Sequence, residues 1–172
     1  MLKLERLTPD HADALLAFET ENRAYFARSI SDRGDAYFTD FAARHQALLD
    51  EQETGACHFH VVLDDKGELI ARVNLVDVTP DGSAELGYRV GERAAGKGVA
   101  TAAVGMVWRV AAERYGLTSL TAVTTVDNTA SRTVLERNGF TLVGDVTVMG
   151  QPGVAYQLRG AGPAEATREG RP

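Results

Sequence analysis

The sequence predicts an α/β domain of the α+β type, in which a mixed, largely antiparallel twisted sheet is flanked by helices. Residues 58–90 read as consecutive strands joined by turns at Asp64-Asp65-Lys66-Gly67 and Thr79-Pro80-Asp81-Gly82, an antiparallel meander. Residues 97–138 then alternate helix, strand and helix, which adds a crossover and makes the sheet mixed. Residues 139–158 read as a closing hairpin.

Each element has its own signal. Leu2 to Arg6 reads as a short first strand. Thr8-Pro9-Asp10 marks a helix start, with Thr8 as N-cap and Pro9 at the first helical position. Ala14, Leu15 and Phe18 lie at helical spacing within His11–Glu21. A second helix is expected from Asp35 to about Glu53, on Phe38, Phe41, Leu48 and Leu49. The link between them, Asn22 to Gly34, is rich in aromatic and charged residues and is a candidate lid. Strands are expected at His58–Leu63, Glu68–Val78 and Ser83–Val90. Lys97 to Tyr115 reads as a long helix with Val104, Val107, Trp108 and Ala111 on one face, ended by Gly116 as a C-cap residue. Leu117–Thr125 reads as a strand, Asn128–Asn138 as a helix, and Gly139–Val148 with Val154–Leu158 as the hairpin. One domain is therefore expected over residues 1–159. The remainder, Gly160 to Pro172, is Gly, Ala, Pro and charge, and is expected to be disordered.

Composition narrows the function classes. The chain has 172 residues, enough to bury a core without staples. Cys57 is the only cysteine, which excludes an internal disulfide and a thiolate metal cluster; it reads as a small buried residue. The net charge of −6 argues against a nucleic-acid partner and suits solubility, or a cationic acceptor. No apolar run has the length of a membrane span, and Met1-Leu2-Lys3-Leu4-Glu5-Arg6 has no signal-peptide core, so a cytoplasmic location without a membrane partner is expected. His58 and His60 alternate on one strand face with no third ligand nearby, so no metal is expected and both read as core or pocket-wall residues. Tyr25, Phe26, Tyr37, Phe38 and Phe41 are candidates for the core or for an acceptor pocket.

The densest chemical signal lies between the Ser83–Val90 strand and the long helix. Gly91-Glu92-Arg93-Ala94-Ala95-Gly96-Lys97-Gly98-Val99-Ala100-Thr101 offers glycines that let backbone approach an anion, ahead of a helix start with exposed N–H groups. The first seven positions, Gly91 to Lys97, satisfy the nucleoside-triphosphate loop G-x-x-x-x-G-K-[ST]. The eighth is Gly98, which has no hydroxyl for Mg²⁺. Read from Arg93 instead, Arg93-x-x-Gly96-x-Gly98 resembles the acetyl-CoA turn [RQ]-x-x-G-x-[GA] of the GNAT superfamily of N-acetyltransferases. Asn128 to Phe140 resembles that family's second segment, N-x-x-[SA]-x-x-[VL]-x-x-x-x-G-F. Ala84 to Val90 looks like its fourth strand. The resemblance covers roughly Leu2 to Leu158 and points to the RimJ/RimL-like branch, which contains ribosomal-protein N-terminal acetyltransferases.

The resemblance implies an enzyme with acetyl-CoA as co-substrate, and roles for particular residues. Arg93 stands where the turn opens, and the backbone of Gly96, Lys97, Gly98, Val99, Ala100 and Thr101 holds the pyrophosphate. The backbone of Tyr88, Arg89 and Val90 pairs with the pantetheine arm, and one of its N–H groups is the oxyanion donor. Asn128 hydrogen-bonds pantetheine, or caps its helix, or both. Ser131 contacts the sulfur, or is one more small helix residue. Glu85 is the candidate general base; a solvated strand residue is the equal alternative. Leu135 stands where other branches carry an acidic tyrosine. The acceptor is an amine: a peptide N-terminus, with a polyamine, antibiotic or metabolite amine as the alternative. A CoA-binding module without catalysis and a nucleotide-binding protein are further readings. Oligomeric state is open, a homodimer included.

Overall fold

The computed structural model describes residues 1–160. The expectation of disorder beyond Gly160 falls outside the described residues.

Strand β1 (Lys3–Arg6) leads to a 3-10 turn (Pro9–His11) and α1 (Ala12–Glu21). The Thr8 N–H donates to His11 Nδ1 at 3.0 Å, and Pro9 needs no partner for its nitrogen. Two short helices follow, α2 (Arg23–Ala27) and α3 (Asp35–Thr39), and then α4 (Phe41–Glu53). The expected second helix is thus two helices, broken at Asp40 (φ −102°, ψ 21°). Neither Gly nor Pro imposes that break, so the sequence carries no signal for it. Tyr37 and Phe41, on either side of it, are both buried and meet edge to face at 5.6 Å. The aromatic link also holds structure that periodicity missed, because α2 is a single turn with Phe26 as its buried residue.

Next come β2 (His58–Leu63), β3 (Leu69–Val76), β4 (Ser83–Val90), α5 (Val99–Arg114), β5 (Ser119–Thr125), α6 (Thr129–Arg137), β6 (Thr141–Val148) and β7 (Gln151–Arg159). The strands hydrogen-bond in the order β1-β2-β3-β4-β5-β7-β6. The pairs β1–β2, β5–β7 and β6–β7 are antiparallel, and β4–β5 is parallel. This is the mixed, mostly antiparallel sheet with helices that the sequence predicts. Strand β7 starts three residues early because Met149 and Gly150, both at positive φ (50° and 75°), close a two-residue hairpin. A methionine at positive φ is not a turn signal.

The described residues gather into two compact units, one of Met1–Asn74 with Tyr88–Val99, the other of Leu75–Gly87 with the described residues from Ala100 onward. In the first, Leu15, Phe18, Phe41, Val61, Val62 and Val73 are buried. Strand β2 is buried on both faces, His58 and His60 included. In the second, Leu75, Val104, Val107, Ala111, Leu120, Leu135 and Tyr156 form the core. Trp108 is a packing residue there, since a Cβ at Gly160 would come within 2.3 Å of its ring.

Candidate active site

The residues singled out in the sequence fall into two groups, one in each unit. In the first unit, β4 ends at Val90 and the chain turns through Gly91 and a 3-10 segment, Glu92–Ala94. The Gly91 N–H donates to the Ile70 carbonyl at 2.9 Å. Gly91 lies so close to α1 that a Cβ there would meet Phe18 at 3.1 Å and Asn22 Nδ2 at 3.2 Å. Asn22 locks this approach: its Oδ1 accepts from the Glu92 N–H at 2.9 Å, and its Nδ2 donates to the Phe18 carbonyl at 2.9 Å. A buried amide with both ends used holds its loop in one geometry. Sequence reading left Asn22 in a candidate lid; only the fold brings it to the turn.

Beyond Ala95 the backbone becomes left-handed at Gly96 (φ 72°) and again at Gly98 (φ 78°). An L side chain in that conformation costs about 1–2 kcal/mol. A Cβ at either glycine would meet nothing within 4 Å, so the turn stands open where its glycines are required. Residues 95–98 are exposed. The positive φ of Gly98 also explains why α5 begins at Val99 rather than at the expected Lys97. The 16 residues of α5 align their dipoles, and the first N–H groups have no intrahelical partner. Arg93 is exposed and spends its guanidinium on Glu21, with Nε 3.0 Å from Oε1 and Nη2 3.2 Å from Oε2. A surface pair of this kind is worth about 0–1 kcal/mol and exchanges readily.

The same unit holds a charge cluster that the sequence did not announce. Glu19 on α1 is 1% exposed and accepts hydrogen bonds from Arg72, Arg33 and Arg89. Burial pushes its carboxyl pKa up, but Arg72 and Arg33 outweigh burial and hold it below the usual range. Acidic residues on a helix are ordinarily solvated, so Glu19 had no distinguishing signal. His60 is also shifted: burial, with the neighbouring His58 and Arg6 adding to it, lowers its pKa to about 4. That is a neutral core histidine. Cys57 is buried, its thiol donating to Glu51 Oε1 at 3.1 Å.

In the second unit, Ala100 and Thr101 lie in the first turn of α5. The Thr101 carbonyl accepts from Asn138 Nδ2 at 3.2 Å, which ties the start of α5 to the end of α6. Glu85 is half-buried, on the opposite face of β4 from buried Ala84 and Leu86, and is in register with Thr121 of β5. Asn128 is the N-cap of α6, its Oδ1 accepting the Ser131 N–H at 3.1 Å. Ser131 is half-buried, and Leu135 is fully buried, a packing position. Behind α6, Tyr156 donates to Glu136 Oε1 at 2.9 Å and accepts from Arg132 Nε at 3.0 Å. Among the described residues no group of three or more His, Cys, Asp or Glu is placed to hold a metal ion. No helix among them is long and apolar enough to cross a membrane.

Comparisons with known proteins agree with this fold. The acetyltransferase (GNAT) domain family matches residues 1–141. No curated protein sequence matches. Among solved structures, the chain is similar to a ribosomal-protein-S5-alanine acetyltransferase from Vibrio fischeri, with a TM-score of 0.85, 19% identity, and 92% of each chain covered. RimJ from Mycobacterium smegmatis, in complex with a CoA-disulfide, gives a TM-score of 0.81 at 21% identity, over 99% of this chain and 90% of that one. A spermidine N-acetyltransferase from Vibrio cholerae gives 0.73 at 18% identity, over 91% and 94%. At these identities the likeness is one of fold.

Proposed function

Because the chain belongs to the acetyltransferase (GNAT) family and is an N-acetyltransferase, we propose that it moves an acetyl group from acetyl-CoA to a primary amine by direct attack on the thioester, with a protein or peptide N-terminus as acceptor. The observation that carries the coenzyme half is the exposed pair of left-handed glycines, Gly96 and Gly98, directly ahead of α5. Backbone N–H groups from Gly96 to Thr101 take the pyrophosphate there, with the helix dipole behind them. Tyr88, Arg89 and Val90 offer main chain to the pantetheine arm, and one of their N–H groups donates to the thioester carbonyl as charge develops on its oxygen.

The acceptor nitrogen must be neutral to attack. At pH 7.5 a lysine amine, with a pKa near 10.4, costs roughly 4 kcal/mol to deprotonate, whereas an α-amine near 7.7–8.0 costs well under 1 kcal/mol. A half-buried carboxylate such as Glu85 suits the easier task. In the reaction the nitrogen bonds to the carbonyl carbon, the carbon–sulfur bond breaks, and CoA leaves as the thiolate. The amine proton passes to Glu85 directly or through water. Ser131 donates a hydrogen bond to the sulfur. Leu135, buried in the core, supplies no acid, and a thiolate with a pKa near 8.5 leaves without one. The likeness to a spermidine N-acetyltransferase keeps a small-molecule amine as the second reading.

Two measurements test the proposal. Acetyl-CoA at about 100 times its Kd stabilises the native state by roughly 2.7 kcal/mol, so it raises the melting temperature, and Mg-ATP does not. A thiol-release screen over peptide N-termini, polyamines and aminoglycosides then identifies the acceptor class. Stabilisation by Mg-ATP alone would overturn the coenzyme assignment, and turnover confined to polyamines or aminoglycosides would overturn the acceptor assignment.

A further inference from the structure

The whole chain and the surroundings of α1 differ in sign. The protein carries a net charge of −6, yet three guanidiniums meet a single carboxylate at Glu19. Arg72 Nη1 donates to Oε1 at 2.8 Å, Arg33 Nη2 to Oε1 at 3.1 Å, Arg33 Nε to Oε2 at 3.2 Å, and Arg89 Nη1 to Oε2 at 3.2 Å. Among the described residues, the only other acceptor in their hydrogen bonds is the Tyr37 hydroxyl, 3.4 Å from Arg72 Nη1. Among the described residues Glu19 is the one carboxylate paired with these three guanidiniums, which leaves two positive charges without a paired carboxylate in a part-buried region. Uncompensated charge is costly there.

The three cations are not equivalent. Arg72, 6% exposed, is enclosed, whereas Arg33 and Arg89 keep 27% and 19% of their side-chain surface. One flat face of each is covered, Arg33 lying over the Tyr37 ring at 4.6 Å and Arg89 over Phe26 at 4.9 Å. Among the described residues the cluster makes five hydrogen bonds from about fifteen N–H donors. Part-buried guanidiniums, each with one face against a ring, with more N–H donors than acceptors among the described residues, and with surplus charge, form a receptor for a planar oxyanion. Arg33 lies in the link after α2, and Arg89 lies on β4 just before the coenzyme turn.

We propose that Arg33 and Arg89 bind a carboxylate of the acceptor, so that the preferred substrate is a peptide with an Asp or Glu side chain close behind its free N-terminus. This rests on the acetyltransferase reading above and narrows its acceptor. It also disfavours a polyamine, which would bring positive charge to a site already in surplus.

The test is a thiol-release assay on the full chain, with short peptides in which Asp is moved through the residues that follow an N-terminal Ser. Each is compared with its Asn counterpart. The best Asp peptide exceeds its Asn partner in kcat/KM by about tenfold or more, chiefly through KM, and added salt shrinks the gap. Arg89→Gln and Arg33→Gln each bring the Asp-to-Asn ratio toward one; Arg33, the more exposed, is the variant of choice if Arg89→Gln does not fold. A ratio of one in the unaltered protein overturns the proposal, as does a ratio retained in both variants. So does a loss of acetyl-CoA affinity with the ratio intact, which would assign these guanidiniums to the coenzyme's phosphates. If no peptide is acetylated, the peptide-acceptor reading fails by itself. The carboxylate site is then read by titrating N-acetylaspartate, which has no acceptor amine, into the protein followed by NMR. Saturable shifts that Arg33→Gln removes uphold the site, and their absence overturns it.

Discussion

The two units bury different chemistry. Of the eight polar or charged residues buried among the described ones, Glu19, Asn22, His45, Gln52, His58, His60 and Arg72 belong to the first unit and only Thr124 to the second. The second unit has an apolar core and leaves Glu85 and Ser131 half-buried. The first places polar groups inside, where each must be satisfied and where removing a partner strands the rest. Substitutions in the first unit should therefore register first as lost stability. Polar substitutions in the second should register first in the rate.

Glu19→Ala tests this contrast with the largest effect. It leaves three guanidiniums without their shared carboxylate, and losing one member of a buried ion cluster costs about 3–5 kcal/mol. Urea unfolding should show a lower midpoint with little change in slope. The same residue sets a pH dependence. Its carboxyl pKa is held below the unfolded value, so its contribution is complete above the ordinary carboxylate range and is lost as pH falls through the lowered folded value. Glu19→Gln should flatten the acid limb of the stability profile while leaving the limb above pH 5 parallel to that of the parent. An unchanged acid limb would mean that another carboxylate governs it.

Glu85→Gln probes the other side of the contrast. The change is nearly isosteric on a half-buried strand residue, so stability should stay within about 0.5 kcal/mol. As the proposed base, Glu85 should take with it roughly 10²-fold or more of kcat/KM. Full activity in the variant would return Glu85 to the status of a solvated strand residue. A large stability loss would break the contrast itself.

What was legible in the sequence follows the same division. The turn ahead of α5 could be read because backbone demands show up in sequence as Gly96 and Gly98 at fixed spacing, and both have positive φ. Helix α5 could be read because Val104, Val107, Trp108 and Ala111 fall at helical spacing and Gly116 follows its end, and α6 because Asn128 stands at its start as N-cap. The Glu19 cluster was not legible. Its members lie on α1, the link, β3 and β4, up to 70 residues apart, and each alone looks like a solvated charge. Asn22 was hidden similarly, since its partner, the Glu92 N–H, is also 70 residues away. The break at Asp40 carried no Gly or Pro, and the Met149-Gly150 turn carried an unusual residue at positive φ.

Gly98→Ala separates backbone strain from ligand contact within the first unit. Gly98 and Gly55 have nearly the same φ, 78° and 81°, and a Cβ at either meets nothing within 4 Å. Each alanine should cost about 1–2 kcal/mol of local strain. Only Gly98→Ala should weaken acetyl-CoA, by about tenfold in calorimetric titration, because its methyl group occupies space proposed for the pyrophosphate. Equal affinities in the two variants would reduce Gly98 to a turn glycine.

Asn128 gives the smallest and finest test, since in it a structural duty and a proposed binding duty share one side chain. Its Oδ1 accepts the Ser131 N–H and so caps α6, a contact worth about 1 kcal/mol. The pantetheine contact proposed for it needs the other half of the amide, the NH₂ group. Asn128→Ala removes both and should lower stability by about 1 kcal/mol while weakening acetyl-CoA. Asn128→Ser keeps an oxygen that can cap but lacks the NH₂. It should restore the melting temperature to near that of the parent while acetyl-CoA affinity stays several-fold lower, the loss of one neutral hydrogen bond at about 1 kcal/mol. Thermal melts of the three proteins without coenzyme read the cap, and calorimetric titration reads the amide. If Asn128→Ser restores both properties together, Asn128 is a cap alone. The second unit would then hold a polar side chain whose whole work is structural, as most of those buried in the first unit are.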